Sequence, residues 1–260
     1  MLTRILTSIV GVVVFLAAIF APPAVLFVAL FLVCAGMLYE IYRVIDAKWQ
    51  LQVVGVVAEI MMFAGFFMEK AGMAFYGVIF LYMIAVVFLW GKCSSKEVLT
   101  AGMVTLYITS AILSLVMLRH KYNVFLLLLP FVIAWLSDTG AYFTGYFLGK
   151  HKLAPKMSPK KTVEGAIGGV VFAGIASLIY LGFVYGNFRA DFAWAAILFG
   201  GLGSAVSQVG DLAASCIKRD FNKKDYGSLL PGHGGLMDRF DSVLFAAPYV
   251  LLAVRHFGFF

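Results

Sequence analysis

Nine apolar runs fill almost the whole chain, over roughly residues 5–20, 23–44, 51–68, 72–91, 98–118, 123–149, 163–186, 191–217 and 239–257, with only short polar breaks between them. About twenty apolar residues make one bilayer span. A backbone in lipid must satisfy its own N–H and C=O groups, so each span has to be a helix or a strand of a closed barrel. The apolar–polar alternation of a barrel strand is absent from these runs. The pattern predicts an all-α, polytopic integral membrane protein with about nine transmembrane helices. Composition excludes a soluble domain: 63% of the 260 residues are hydrophobic and only 13% are charged. Soluble domains are nearer half apolar and a quarter charged.

The first run follows Arg4 and superficially resembles a secretory signal. A second run begins directly after Pro22 and Pro23, and Ala-Pro-Pro is a poor cleavage site, so the first run is expected to be a retained span. No internal repeat is visible, which gives an inverted-repeat transporter little support. Fifteen of the 20 Lys and Arg residues lie in the N-terminus and the even-numbered loops. Only Lys70, Arg119, Lys121, Arg189 and Arg255 lie on the other side. This asymmetry places the N-terminus in the cytoplasm and the C-terminus outside, in a bacterial inner (cytoplasmic) membrane. The net charge of +7 then reports basic cytoplasmic loops and not a nucleic-acid partner. Cys34, Cys93 and Cys216 are widely spaced, which argues against a disulfide framework or a structural zinc site.

The two halves differ. Up to residue 120 the acidic residues Glu40, Asp46, Glu59, Glu69 and Glu97 are scattered singly. Residues 1–120 therefore read as transmembrane scaffold, and 121–260 as a catalytic region with a polar cleft on the cytoplasmic side. Glu59 is the exception in the scaffold. It lies inside the run Val53–Phe67, and an intramembrane acid is a functional candidate by default. The bland alternative is a protonated carboxyl hydrogen-bonded between helices.

Three polar segments interrupt the second half. In Ser137-Asp138-Thr139-Gly140-Ala141-Tyr142, Asp138 falls within a span. There a charge costs roughly 2.5–3.5 kcal/mol unless it faces a cavity, a cation or a partner. In Ser158-Pro159-Lys160-Lys161-Thr162-Val163-Glu164-Gly165, Thr162 is placed to cap the seventh helix. Lys150, Lys152, Lys156, Lys160 and Lys161 form a dense basic cluster before it, suited to anionic headgroups or to a triphosphate. The third segment runs from Ser204 to Ser242. Ser204, Gln208, Asp211, Ser215 and Lys218/Arg219 recur at helical spacing, as one polar stripe expected to face a hydrated cleft; hydrogen bonding between helices is the alternative for Ser204 and Gln208, and it explains Asp211 less well. A Gly-rich loop follows, with Gly232, Gly234 and Gly235 flanked by basic residues. Asp238 and Asp241 come next, spaced to share a face at the start of the ninth helix. Carboxylates, cations and a glycine turn that can offer its amides are the materials of a metal–phosphate site.

Ser215-x-Ile217-Lys218-Arg219-x4-Lys224-Asp225-x-Gly227-x2-Leu230-Pro231-x-His233-Gly234-Gly235-Leu236-x-Asp238-Arg239-Phe240-Asp241 resembles, without departure, the signature of phosphatidate cytidylyltransferases. Ser137–Phe143, Ser158–Gly165 and Gln208-x-Gly210-Asp211 also resemble segments of that family, so the likeness is strong over roughly 135–245. The resemblance implies transfer of CMP from CTP to phosphatidic acid, giving CDP-diacylglycerol and pyrophosphate, within membrane lipid. It implies Mg²⁺ held by Asp211 and Asp238, with Asp241 and Asp138 as second choices. A second, monovalent cation and a homodimer stay open. Lys218, Arg219 and Ser215 are expected to bind phosphate groups. Lys160, Lys161, Lys224, Gly234, Gly235 and Arg239 are expected to line the substrates. His233 is expected to bind phosphate or brace the loop more than to act as an acid. The other classes weighed are a transporter with a polar mid-membrane site, a different CTP-dependent lipid phosphotransferase, and a purely structural membrane protein.

Overall fold

The computed structural model describes residues 2–229 and 234–257. Ten helices and one small hairpin lie among them: α1 (Leu2–Phe20), α2 (Pro23–Val44), α3 (Trp49–Phe67), α4 (Ala71–Phe88), α5 (Ser95–Lys121), α6 (Val124–Leu148), β1 (Lys152–Ala154), β2 (Ser158–Thr162), α7 (Val163–Tyr185), α8 (Ala190–Asp220), α9 (Met237–Phe240) and α10 (Val243–Phe257). Seven of these helices, α2 to α8, are long and apolar enough to cross a membrane. The protein is an all-α polytopic membrane protein.

The helix ends follow local chemistry. Pro23 opens α2, where its missing N–H costs nothing. Ser94 and Glu97 form a capping box on α5, the Ser94 N–H donating to Glu97 Oε2 at 2.6 Å and the Glu97 N–H to Ser94 Oγ at 3.2 Å. Asn123 Oδ1 accepts from Leu126 N at 2.8 Å to start α6. Thr162 Oγ1 accepts from Gly165 N at 3.1 Å to start α7, as its position predicts. The antiparallel hairpin β1–β2 was not anticipated. Its strands are three and five residues long, and the Lys-rich stretch around Pro159 reads as plain loop.

The chain divides into two compact units. One comprises Met1–Val116 and Phe221–Arg239, the other Met117–Asp220 and Phe240–Phe260. Within the first, α2 packs on α3 and α3 on α4. Its polar core is a hydroxyl cluster: Tyr42 from α2, Tyr82 from α4 and Thr105 from α5 lie 2.5–3.0 Å apart, and Thr105 Oγ1 returns a bond to Ala101 O. Each hydroxyl is thereby satisfied away from water, the condition for burying it in lipid.

Within the second unit, α7 is the centrepiece, packed on α6 and α8, with α10 against α6 and α8. Gly165, Gly169, Ala173 and Ser177 recur every fourth residue on the buried side of α7. A Cβ at Gly169 would lie 2.9 Å from Ser137 O on α6, and one at Gly174 would lie 3.0 Å from Ile197 O on α8. Small residues at this spacing let helix backbones meet where no hydrophobic effect drives them together.

Candidate active site

In the second unit the helix packing brings four sequence segments to one place. Lys161, at the end of β2, makes an ion pair with Asp211 Oδ2 on α8. One turn on, Ser215 Oγ approaches Asp211 Oδ1 at 3.5 Å. Asp138 on α6 lies within electrostatic reach of Asp211 and Lys161 and takes a hydrogen bond from Ser242. Asp241, in the turn before α10, accepts from Ser242 N at 2.7 Å and lies within reach of Asp211, Asp138 and Lys218. Lys218 is buried, with 8% of its surface exposed. Three carboxylates and two lysines thus share a small volume inside a membrane protein.

Position along the helices sets the depth of this cluster. Asp211 lies nine residues before the end of α8, and Asp138 ten before the end of α6, or about 15 Å at 1.5 Å per residue. The 31 residues of α8 rise about 46 Å, well beyond a hydrocarbon core of roughly 30 Å. An untilted helix of that length reaches beyond the core at one end or both, and Asp211 lies about two and a half turns from the C-terminal end of α8.

For Ser204 and Gln208 the structure shows the second of the two readings open in the sequence, hydrogen bonding between helices. Ser204 Oγ and Ser137 Oγ are 2.7 Å apart and both buried. Gln208 Nε2 donates to Ser204 Oγ, to Ser137 Oγ and to Ala166 O. The stripe is one face in sequence but has two roles, with the change between Gln208 and Asp211. Lys160 and Arg219 are exposed, and Arg219 Nε donates to Met157 O at 3.4 Å.

The first unit holds Asp238. Its Oδ2 accepts two backbone amides, from Tyr226 at 2.9 Å and from Gly235 at 3.0 Å. Gly234 sits at φ +83°, a left-handed conformation that glycine adopts without strain. Lys224 and Arg239 are exposed, with Arg239 N bonded to Leu236 O at 3.0 Å. Asn222, at φ +54°, turns the chain away from α8. His233, with Leu230, Pro231 and Gly232, lies outside the described residues. Asp238 and Asp241 are not on one continuous helix as expected. The four-residue α9 carries Asp238, and a turn at 241–242 precedes α10. Asp241 makes a side-chain-to-backbone bond to Ser242 that competes with helix.

Sequence reasoning overlooked Glu40. It is 2% exposed on α2, and its Oε2 accepts the Met237 N–H at 2.8 Å. A cavity of about 380 Å³ opens beside it, lined also by Arg43, Lys223 and Asp225. Its partners lie nearly 200 residues on, and no local spacing signals them.

The sequence pattern of the Cytidylyltransferase family matches residues 2–257. The chain belongs to this family. Among its relatives, the phosphatidate cytidylyltransferase of Staphylococcus haemolyticus (strain JCSC1435) is 47% identical over 122 residues, covering 47% of this chain and 46% of the relative. The protein of the same name from Staphylococcus aureus (strain COL) is 48% identical over an equal length and equal shares. The aligned stretch thus spans about half the length of these curated relatives.

The donor set suits a hard divalent cation. Among the described residues no group of three or more His, Cys, Asp or Glu side chains is placed to hold a metal ion alone. Magnesium seldom uses such a cage: it takes one or two carboxylates, with water and substrate phosphates completing its octahedron. Asp138, Asp211 and Asp241 are like charges within electrostatic reach of one another, and positive charge nearby offsets their repulsion.

Proposed function

We propose that this family member is a phosphatidate cytidylyltransferase, transferring CMP from CTP to phosphatidic acid with a divalent metal. The observation that carries this reading is the second unit's cluster of Asp138, Lys161, Asp211, Ser215, Lys218 and Asp241, in a chain whose family is cytidylyltransferase.

In this reading an oxygen of the phosphatidate monoester attacks the α-phosphorus of CTP. The bond to the β-phosphate breaks, and pyrophosphate leaves with its electron pair. The second pKa of a phosphate monoester is about 6, so the nucleophile is already ionised at pH 7. No general base is needed, and no residue is assigned that role. The obstacle is the meeting of two polyanions. Lys161 and Lys218 offset that charge where it gathers, and the hydroxyl of Ser215 donates to a phosphate oxygen. Bound Mg²⁺ supplies Lewis-acid stabilisation of charge on the attacked phosphoryl and leaving groups. Asp211 and Asp238 are the residues that would hold it, with Asp138 and Asp241 as second choices. Lys160 and its neighbouring lysines hold the anionic lipid headgroup at the membrane surface, where each contributes about 1 kcal/mol.

The site faces the cytoplasm, where CTP is made, with the N-terminus inside and the C-terminus outside. The charge asymmetry of the loops supports this orientation. The test is purified protein incubated with labelled CTP, phosphatidate and Mg²⁺. Labelled CDP-diacylglycerol should form, vanish with EDTA and return with Mg²⁺. No liponucleotide under these conditions, or full turnover without metal, overturns the reading. A reporter fused after residue 155 should be cytoplasmic and one at the C-terminus external, and the reverse pattern overturns the orientation.

A further inference from the structure

Glu40 and Asp238 grip the same two stretches of chain. Asp238 Oδ2 accepts the N–H of Tyr226 and of Gly235. Glu40 Oε2 accepts the N–H of Met237. Glu40 also presses on the glycines beside those amides: a Cβ at Gly227 would fall 2.5 Å from its Oε1, and one at Gly235 would fall 2.6 Å from its Oε2. A Cβ at Gly36, one turn before Glu40 on α2, would lie 3.1 Å from Leu236. The two ends of the glycine loop, 226–227 and 235–237, are thus clamped between a carboxyl from α2 and the carboxyl of Asp238 itself. Glu40 is nine-tenths buried and more, and its Oε1 has no hydrogen-bond partner among the described residues. Burying a carboxylate oxygen unpaired is costly. An acid kept there at that cost, with both glycines shaped to receive it, is doing something a Leu could not.

We infer that Glu40 is a positioning residue for Asp238: it fixes the stretches 226–227 and 235–237 that meet that carboxylate, so that the metal-binding group is held in place before substrate arrives. Glu40 touches neither the metal nor the nucleotide. It acts through the Met237 amide, next in sequence to Asp238, and through the two glycines. The inference rests on the reading of Asp238 as a metal ligand.

The experiment uses the full chain in detergent or nanodiscs, as wild type, Glu40→Ala, Glu40→Gln and Gly227→Ala. Two readouts need no turnover: hydrogen exchange of peptides covering 226–238, and binding of Mn²⁺ followed by electron paramagnetic resonance. Glu40→Ala removes the acceptor of the Met237 N–H. Exchange in 226–238 should rise and Mn²⁺ affinity should fall, each by about 10-fold, while peptides from α6 to α8 keep their protection. Glu40→Gln keeps a carbonyl for Met237 and puts an amide where an oxygen already lacked a partner, so both readouts should return to within about 3-fold of wild type. Gly227→Ala pushes the loop off Glu40 from the other side and should reproduce the loosened loop, which keeps the test open if Glu40→Ala does not fold. Wild-type exchange and affinity in both Glu40→Ala and Gly227→Ala overturn the inference. So does Glu40→Gln behaving like Glu40→Ala, because the charge and not the acceptor would then matter. A wild-type protein that binds Mn²⁺ but makes no CDP-diacylglycerol sinks the proposed reaction while leaving the exchange comparison intact.

Discussion

The two units hold their acids in different ways. In the second unit Asp211 is met by side chains, the Lys161 ammonium and the Ser215 hydroxyl, mounted on long packed helices and a hairpin end. In the first unit the Asp238 carboxylate is met by backbone amides of a loop. A lysine can swing aside when a better cation or a phosphate arrives, so Asp211 can change partners without moving its helix. Amide partners cannot leave without the loop opening, so Asp238 and its backbone stand or fall together. The bonds described for one acid come from side chains, and those described for the other come from backbone amides.

The largest effect tests that difference directly. Asp211→Asn and Asp238→Asn keep size but remove the charge that a metal needs, and each should lower CDP-diacylglycerol synthesis by at least about 100-fold. The comparison predicts that they part company in hydrogen exchange. Asp238→Asn weakens charge-assisted bonds to Tyr226 N and Gly235 N and should expose the 226–238 loop. Asp211→Asn should leave every backbone segment protected. Near-normal turnover at limiting Mg²⁺ in either variant removes that residue from the ligand set. Matching exchange maps for the two variants break the contrast.

How far the sequence announced all this depended on distance along the chain. Helix ends were legible to within a few residues, because apolar runs and a cap such as Thr162 act through their immediate neighbours; the caps at Asn123 and Ser94/Glu97 came only with the structure. Asp138, Lys161, Asp211, Lys218 and Asp241 stood out in the sequence as candidates because charge in an apolar run is costly. Their convergence was not legible, since periodicity shows which residues share a helix face and not which helix that face meets. That is why the sequence left Gln208 open between a wet cleft and a helix contact, and the structure shows it bonded to Ser137, Ser204 and Ala166. Glu40 was missed for the same reason in stronger form: it meets residues 227, 235 and 237, nearly 200 positions away. The hairpin β1–β2 is too short for any alternation to register.

An intermediate effect probes the charge-held side. Lys161→Ala removes the ammonium from Asp211 without altering a helix, and a hydrogen bond to a charged group contributes about 1.5–3 kcal/mol. Turnover at saturating Mg²⁺ should fall by about 10- to 100-fold. Thermal stability should stay close to wild type, because the pair is part-exposed rather than sealed in the core. Lys161→Arg should recover part of the activity, since it restores the charge but not the compact geometry. A Lys161→Ala protein that melts far lower than wild type would show the pair to be architectural, and Asp211 would then resemble Asp238 after all.

The smallest effect concerns an acid held neither by a cation nor by a loop. Glu59 on α3 is 1% exposed, and its Oε1 lacks a hydrogen-bond partner among the described residues. Its other contact is the side chain of Cys34 on α2, whose Sγ also reaches Thr109 Oγ1 at 3.7 Å. A charged carboxylate in such surroundings would demand a lysine, an arginine or a water-filled cavity. The partners recorded for Glu59 are a thiol and nothing of opposite charge. The favoured state is therefore a neutral carboxyl between helices, contributing packing and at most one weak hydrogen bond. Glu59→Gln preserves that shape and hydrogen-bonding capacity, so turnover should stay within about 3-fold of wild type and the melting temperature within a few degrees. Glu59→Leu should be tolerated nearly as well, because it removes an unpaired buried oxygen and leaves apolar volume behind. A fall of tenfold or more in turnover with unchanged melting, in the Gln variant, would mean that Glu59 is charged and at work. The scaffold unit would then hold a third functional acid besides the two that grip the glycine loop.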